Sequence, residues 1–174
     1  MAVEVYLSEE KIKTRIKELG AQITKEYAGE EIHIVCVLNG AFMFMADLVR
    51  EIKLPVILDF ISASSYGDET VSSGELKIKM DLASDVAGKH VLLVEDIVDT
   101  GLTMKVLRKN IEERGAKSVK LASFLFKPAR LEHETHIDYL GFEIEDHFVI
   151  GYGLDFAGRY RELPYIGIYS PDQD

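Results

Sequence analysis

Residue types that mark particular protein classes are scarce in this 174-residue sequence, which has one cysteine and no tryptophan. One cysteine cannot form a disulfide within a chain, which excludes a disulfide-stapled secreted fold and favours a reducing, cytoplasmic setting. Cys36 lies in the apolar run Ile34–Val37 without a basic neighbour, so we expect a core residue rather than a nucleophile. No apolar run approaches the roughly 20 residues of a membrane helix, and Met1–Val5 lacks a signal-peptide pattern. We expect no membrane partner.

Positive charge is also scarce, because 20 lysines and arginines face 30 acidic residues and leave a net charge of -10. Proteins that bind nucleic acid broadly neutralise its phosphates with lysine and arginine, so we expect no nucleic-acid partner. A phosphorylated ligand must then be held by local donors or by a metal. The pair His133 and His136 lacks the i,i+4 spacing of a helical zinc motif, so we do not expect a zinc enzyme.

Apolar residues make up 47% of the chain and charged residues 29%, which is typical of a globular protein and predicts a single domain over 1–174. Segments with strand patterns alternate with segments of helical spacing. This alternation predicts an α/β fold with a doubly wound, mainly parallel sheet flanked by helices. The predicted helices start at Ser8, Phe42 and Met104, and the predicted strands are Ile32–Val37, Val56–Ile61, Leu76–Met80, 91–94, Val119–Phe126, 148–152 and 165–169; Glu132–Asp138 is predicted to be an exposed linker.

The stretch from Val91 to Thr103 carries the strongest chemical signal. A buried apolar strand is closed by Glu95 and Asp96, and an acid, two hydroxyls and a glycine follow before a helix begins. Paired carboxylates can take ribose hydroxyls or a metal, and loop amides at a helix N-terminus can take a phosphate. The stretch therefore predicts a sugar-phosphate site.

Other polar residues also follow predicted strands, and ligands bind at the carboxyl ends of strands in doubly wound sheets. We expect Asn39, Gly40, Lys127 and Asp155 to lie near the acidic pair. The polar, serine-rich segment 62–74 is either a flexible connection or a binding loop, and its length favours a lid.

These residues resemble a known family. Val91–Thr103 is similar to the phosphoribosyl-pyrophosphate signature of type I phosphoribosyltransferases, and the other motifs resemble the hypoxanthine-guanine branch in its short bacterial form. The resemblance adds to the predicted fold a small hood built from the N- and C-terminal segments. Its motifs, in order, are 37–40, 65–67, 95–101, 126–127, 146–152, 154–155 and 160–161.

The resemblance implies a purine salvage enzyme that transfers 5-phosphoribosyl from phosphoribosyl pyrophosphate to hypoxanthine or guanine, with Mg²⁺. The products are inosine or guanosine monophosphate and pyrophosphate. The family implies a homo-oligomer, either a dimer or a tetramer, in the cytoplasm. Xanthine remains an alternative substrate because it also has a 6-oxo group.

For the sugar phosphate, the resemblance implies that Glu95 and Asp96 engage the ribose hydroxyls and magnesium. It also implies that Asp99 is the catalytic base at N7 of the purine; the alternative for Asp99 is the N-cap of the following helix. Leu102 stands where the family frequently has a lysine. The residues implied to bind the phosphoribosyl group are Glu95, Asp96, Ile97, Val98, Asp99, Thr100, Gly101, Leu102 and Thr103.

For the purine, the resemblance implies that Lys127 donates to the 6-oxo group, which suits an ammonium because it is only a donor. Phe148 would stack on the ring, and the Val149 backbone would read its edge. Asp155 would make a second magnesium contact and help to read the 2-position. Without the resemblance, Lys127 would be an exposed strand end and Phe148 a core residue.

For pyrophosphate, the resemblance implies contacts from the Asn39-Gly40 loop and from Arg161, with Arg130 supporting that region. Asn39 replaces a lysine common in the family, which puts a side-chain charge contact in doubt but not a backbone contact. The family often has a cis peptide at the position of Leu38-Asn39. Ser65 and Tyr66 would form part of a lid that excludes water.

Two other classes fit less well. A receiver domain also has an acidic pair after a strand, but that strand opens the domain, whereas here about half the chain precedes it. A phosphoribosyltransferase-fold regulator that binds RNA or DNA would need a basic face, which the net charge of -10 disfavours.

Overall fold

The computed structural model describes residues 2–65 and 75–170. These residues form a larger sheet flanked by helices and a smaller sheet beside it. The helices of the described residues are α1 (Glu9–Glu26), α2 (Phe42–Arg50) and α3 (Leu102–Glu113), and the strands are β1 (Ala2–Leu7), β2 (Ile32–Leu38), β3 (Val56–Ser65), β4 (Leu76–Met80), β5 (His90–Val98), β6 (Ser118–Phe126), β7 (Tyr139–Glu143), β8 (Val149–Ile150) and β9 (Ile166–Ser170).

The larger sheet has the order β4-β3-β2-β5-β6-β7, and its strands pair in parallel except at β3–β4. The chain runs from β2 outward to β3 on one side and from β5 outward to β6 on the other. The carboxyl ends of β2 and β5 therefore flank the topological switch point, where α/β sheets bind ligands. This architecture confirms the predicted doubly wound, mainly parallel sheet.

The helices follow the apolar spacing of the sequence. The Ser8 hydroxyl caps α1 by accepting from the Lys11 N–H at 3.2 Å. The apolar stripe of α1 is buried against the sheet, and α1 and α2 cover one face while α3 covers the other. Cys36 is fully buried, and burial, followed by the charges of Glu95 and Asp96, raises its pKa to about 12. The expected core role of Cys36 agrees with this position.

The smaller sheet has the order β1-β9-β8 and is antiparallel. It joins the first described residues to the last ones, and it forms the hood that the family resemblance implied. The sequence analysis did not predict β1, and β8 is shorter than the predicted strand 148–152. Strand β8 pairs with β9 and ends at Ile150, because the chain turns away at Gly151, whose φ is 97°.

Strand β7 was also not predicted. Its edge is covered by Arg15 of α1, whose guanidinium donates to the carbonyls of Leu140 at 2.7 Å and Gly141 at 3.1 Å. Gly141 packs so closely on Phe124 that a Cβ there would overlap the Phe124 carbonyl. A glycine in the middle of a five-residue segment argues against a strand in local terms, so β7 depends on its tertiary neighbours. In the described ranges, no helix is long and apolar enough to cross a bilayer.

Candidate active site

The loop after β2 fits tightly between the acidic pair and the hood. A Cβ on Gly40 would overlap the Asp96 carboxylate, and a Cβ on Gly153 would overlap the Gly40 carbonyl. Both glycines are therefore needed for the close approach of these three segments. The Leu38-Asn39 peptide that precedes Gly40 is cis. The structure thus places the expected pyrophosphate loop directly against Asp96.

Glu95 and Asp96 lie inside β5 rather than after it, because pairing with β6 continues to Val98. The Glu95 side chain is buried, with 6% of the residue exposed, and accepts from the Asp96 N–H at 2.9 Å. Burial raises the pKa of Glu95 well above its ordinary value, and the neighbouring Asp96 charge raises it further. A cation or hydroxyl donors at this position would favour the ionised form, as the expected ribose and metal contacts require.

The start of α3 forms a small cradle. Gly101 is the N-cap in a left-handed conformation with φ of 87°, and it has no side chain to cap the helix. The first amide of the helix, that of Leu102, donates to the Thr100 hydroxyl at 3.4 Å. The Thr100 carbonyl accepts from the N–H groups of Glu132 and His133, at 3.0 and 2.9 Å, which fixes the loop from behind. A cavity of about 70 Å³ opens there, lined by Glu95, Ile97, Val98, Asp99, Thr100, Gly101, Thr103 and Met104. A helix N-terminus with uncapped amides and hydroxyls suits a phosphate.

Leu102 also belongs to this region, as the first residue of α3. Asp99 does not cap the helix, because Gly101 occupies that position. The Arg130 Nε instead donates to Asp99 Oδ1 at 2.7 Å. The alternative role that the sequence left open for Asp99 is therefore wrong.

A second, larger cavity of about 550 Å³ lies beside the cradle. It is lined by Ile97, Asp99, Lys127, Arg130, Asp146, Phe148, Val149, Leu154 and Asp155. Phe148 is 52% exposed, so it lies on the cavity wall and not in the core. The structure thus brings together the four residues expected to contact a purine, namely Lys127, Phe148, Val149 and Asp155.

Basic and acidic side chains form a chain of ion pairs along the wall of this cavity. Lys127 is nearly buried, and its Nζ lies 3.5 Å from Asp146 Oδ1. Arg130 Nη1 lies 3.8 Å from Asp146 Oδ2, and the same guanidinium binds Asp99. The sequence analysis assigned no role to Asp146. It lies in an acidic stretch at the surface, and only the fold shows that it faces two cations.

Asp155 and Arg161 lie on the loop that leads from β8 to β9. Arg161 donates to the Gly153 carbonyl at 2.6 Å and lies 3.3 Å from Asp155 Oδ1. Asp155 Oδ2 accepts from the Gly158 N–H at 2.8 Å. Since Gly153 touches Gly40, Arg161 is linked to the expected pyrophosphate loop through one residue.

The expected lid and the expected magnesium contacts are incomplete in the described residues. Ser65 is the last residue of β3, and Tyr66 with the rest of the expected lid lies outside the described residues. Within residues 2–65 and 75–170, no three acidic, histidine or cysteine side chains come together to hold an ion, so Asp155, expected to make a second magnesium contact, is not in one ligand cluster with Glu95 and Asp96. Magnesium commonly uses one or two protein carboxylates together with water and substrate phosphates, so the Glu95–Asp96 pair fits it without a third ligand.

Comparisons with known proteins agree with this geometry. Residues 2–157 match the family model of the phosphoribosyl transferase domain. The chain is 48% identical over 168 residues to a hypoxanthine-guanine phosphoribosyltransferase of Bacillus subtilis, covering 97% of this chain and 93% of the relative. It is 50% identical over 171 residues to the enzyme of that name from Dictyostelium discoideum, covering 96% and 95%.

A crystal structure of a hypoxanthine phosphoribosyltransferase from Staphylococcus aureus superposes with a TM-score of 0.93 at 43% identity, covering 97% of this chain and 91% of that one. Fold, ordered motifs and relatives therefore agree on one assignment: the chain belongs to the phosphoribosyltransferase family, in its hypoxanthine-guanine branch.

Proposed function

We propose that this chain is a Mg²⁺-dependent purine salvage enzyme that converts phosphoribosyl pyrophosphate and hypoxanthine or guanine into the nucleoside monophosphate and pyrophosphate. One observation carries the proposal. Asp99 and Ile97 line both cavities, the small cradle at the start of α3 and the larger cavity with Lys127 and Phe148. A sugar phosphate in the first and a purine in the second meet at Asp99.

The reaction replaces one bond at the anomeric carbon with another. The bond from C1′ to the pyrophosphate oxygen breaks, N9 of the purine forms a bond to C1′, and Asp99 accepts the proton from N7. The sugar carries positive charge as the leaving group departs, and carboxylates close to it stabilise that charge. In the structure Arg130 donates to Oδ1 of Asp99, and a carboxylate has a second oxygen that can accept the proton.

The 5-phosphate is held by Asp99–Thr103, through the uncapped amides of α3 and the hydroxyls of Thr100 and Thr103. Glu95 and Asp96 hold the ribose hydroxyls. Glu95 and Asp96 would also hold magnesium, and Asp155 would supply a second magnesium contact from the purine side; a bound ion would neutralise charge on the pyrophosphate oxygens. With Leu102 in place of a cation, the amides carry more of the phosphate binding.

Pyrophosphate lies between the loop at Asn39-Gly40 and the hood loop with Arg161, which fits because these loops touch at Gly40 and Gly153. A forked guanidinium suits this anion.

Lys127 determines the choice of base. Its ammonium can only donate. It therefore donates to the 6-oxo group of hypoxanthine or guanine, and it disfavours adenine, whose 6-amino group is itself a donor. Asp146 holds the ammonium in place at 3.5 Å. Phe148 stacks on the purine, and the Val149 backbone and Asp155 read its far edge.

The decisive experiment incubates the protein with magnesium, phosphoribosyl pyrophosphate and one base at a time, and measures the nucleotide formed. We expect turnover with hypoxanthine and guanine and little with adenine. Absence of turnover with any 6-oxopurine would refute the proposed function. Preference for adenine would refute the role of Lys127, and preference for xanthine would move the assignment to that substrate.

We further propose that the protein is a single cytoplasmic domain that works as a homo-oligomer. Support for self-association comes from Leu58, Phe60 and Met80, which are 43%, 37% and 42% exposed on one face of β3–β4. Helices α1 and α2 cover the neighbouring strands on that face and leave these apolar side chains uncovered. Clustered apolar surface of this kind is typical of an interface. The single, buried cysteine fits a reducing compartment.

A further inference from the structure

One side-chain hydrogen bond connects helix α2 with the hood loop that carries Asp155 and Arg161. The hydroxyl of Tyr152 donates to Asp47 Oδ2. Tyr152 is buried, with 6% exposed, and its ring packs against Phe124 in the sheet at a centroid distance of 4.9 Å. Asp47 also pairs with Arg50, which is largely exposed. This contact lies outside both cavities, so it cannot touch substrate directly.

The backbone at Tyr152 is strained in a way that a glycine would avoid. Its φ is 47°, and it lies between Gly151 and Gly153, which have φ of 97° and 96°. A bulky residue in the left-handed region is sterically unfavourable and is found where surrounding contacts impose that conformation. The hydrogen bond from the Tyr152 N–H to the Leu163 carbonyl and the contacts of the tyrosine side chain are available to offset that cost.

The hydroxyl remains a donor throughout the physiological pH range. Burial raises the pKa of Tyr152, and the hydrogen bond to Asp47 raises it further. A protonated phenol and an ionised carboxylate form a charge-assisted hydrogen bond, which is stronger than a neutral one.

Tyr152 fixes the residues expected to hold pyrophosphate. Its N–H donates to the Leu163 carbonyl at 2.8 Å, and the Gly153 N–H donates to the Arg161 carbonyl at 2.9 Å. The Arg161 guanidinium in turn donates to the Gly153 carbonyl. On the other side, α2 begins directly after the Asn39-Gly40 loop, and the Gly40 carbonyl packs against Gly153.

From this arrangement we propose that Tyr152 and Asp47 are positioning residues for the pyrophosphate site. Their hydrogen bond holds the hood loop against the Asn39-Gly40 loop, so that the two sides of the site are set before substrate binds. The inference rests on the proposed function and adds to it a pair of residues that act from outside the site. Preorganised donors bind an anion more tightly, because less ordering is needed on binding.

The test uses Tyr152→Phe, which removes only the hydroxyl. We expect the KM for phosphoribosyl pyrophosphate, and its Kd measured by calorimetry with magnesium, to rise about 3- to 10-fold, the usual effect of one hydrogen bond. The KM for hypoxanthine is expected to change less than about twofold, since the purine cavity is not rebuilt. The Asp47→Ala variant is expected to show the same pattern, and the double variant no more than either single one.

Two further variants separate positioning from general stability. Asp47→Asn keeps an oxygen acceptor and is expected to restore the phosphoribosyl pyrophosphate KM to near the wild-type value. Arg50→Ala removes the other partner of Asp47 and is expected to leave all constants unchanged. A lowered melting temperature with an unchanged Kd for phosphoribosyl pyrophosphate in Tyr152→Phe would overturn the proposal.

If Tyr152→Phe does not fold, the comparison of Asp47→Ala with Asp47→Asn decides, and equal Kd values in these two variants would overturn the proposal. Wild-type turnover is measured first. Failure of the wild type to form nucleotide refutes the proposed function, whereas the calorimetric comparison still tests the positioning role.

Discussion

At the scale of single residues, Asp99 binds Arg130 in the structure, and it contacts the purine in the proposed reaction. Its carboxylate lies at the junction of both cavities and accepts from Arg130 at 2.7 Å. Arg130 has an alternative acceptor in Asp146, 3.8 Å away. The guanidinium can therefore release Asp99 and keep a carboxylate partner.

The variant Asp99→Asn tests the proposed base. An amide cannot accept the purine proton, and we expect kcat to fall by about 10²- to 10⁴-fold, the usual contribution of general base catalysis. The Kd for phosphoribosyl pyrophosphate is expected to change far less, because the amides of α3 remain. Steady-state kinetics and calorimetry give the two quantities, and equal losses in both would indicate a purely binding role.

At the scale of elements, the packed loops limit what the chain tolerates. Gly40→Ala places a methyl group where the Asp96 carboxylate lies, and overpacking of this kind typically costs about 1–3 kcal/mol. We expect kcat/KM for phosphoribosyl pyrophosphate to fall by at least about 10-fold. Gly29→Ala is the matched control, since its φ is 83° but no atom lies nearby.

That control is expected to lower the melting temperature through backbone strain and to leave the kinetic constants unchanged. Wild-type kinetics in Gly40→Ala would contradict the tight fit between the loop after β2 and Asp96. The measurement is made with phosphoribosyl pyrophosphate varied at saturating hypoxanthine.

A second prediction concerns Asp59 on β3, which is 3% exposed and joins three parts of the fold. It accepts from the N–H groups of Ala83 and Ser84 at 3.0 Å, from Phe60 at 2.8 Å, and pairs with His33 at 3.3 Å. Burial alone would raise the pKa of Asp59, but the backbone donors and His33 outweigh burial and lower it below 3.8. The ionised Asp59 carboxylate therefore stabilises the folded protein fully when the pH is above its unfolded-state pKa. This stabilisation is lost as the pH falls through its folded-state pKa.

We expect Asp59→Asn to lower the free energy of unfolding by about 1–3 kcal/mol at pH 7. The difference from the wild type is expected to shrink as pH falls below about 4, because Asp59 takes up a proton in the unfolded chain at a higher pH than in the folded protein. Urea unfolding between pH 2.5 and 7 measures this difference. A difference in the free energy of unfolding that stays constant from pH 2.5 to 7 would contradict the electrostatic explanation. The control is Glu10→Gln, which removes one carboxylate at an exposed site.

At the scale of the whole molecule, the large sheet is wider than its covering helices. Helices α1 and α2 pack on one face together with Ile34, Cys36 and Leu92, while the outer strands β3 and β4 expose Leu58, Phe60 and Met80 there. A second copy of the chain on this surface would complete the layer.

We expect light scattering after size-exclusion chromatography to show a dimer or a tetramer. Phe60→Lys is expected to shift the protein toward the monomer, because a charge would be buried in the interface. Val5→Lys, at an apolar residue 55% exposed on the hood, is the control and is expected to keep the wild-type mass. A wild type that is monomeric at micromolar concentration would refute the oligomer.

The sequence was sufficient where a signal is local. Helix α1 follows from Ser8 and its apolar spacing, and β5 follows from its apolar run. The sugar-phosphate site that we propose was predicted from the order of acid, hydroxyl and glycine after that run. The motif order also predicted that Lys127, Phe148, Val149 and Asp155 lie together, and they line one cavity. These features are encoded by neighbours along the chain, so period and residue type reveal them.

Tertiary structure decided the rest. Strand β1 forms because β9, from the other end of the chain, offers it an edge, and β7 forms because β6 and Arg15 satisfy its backbone groups. The Tyr152–Asp47 hydrogen bond joins residues on distant segments. No local pattern encodes these pairings, because each partner is supplied by the folded chain. The stretch from Val91 to Thr103 predicted the sugar-phosphate chemistry that we propose, residues elsewhere in the sequence predicted the purine, and the surrounding fold determined which groups hold that stretch in place.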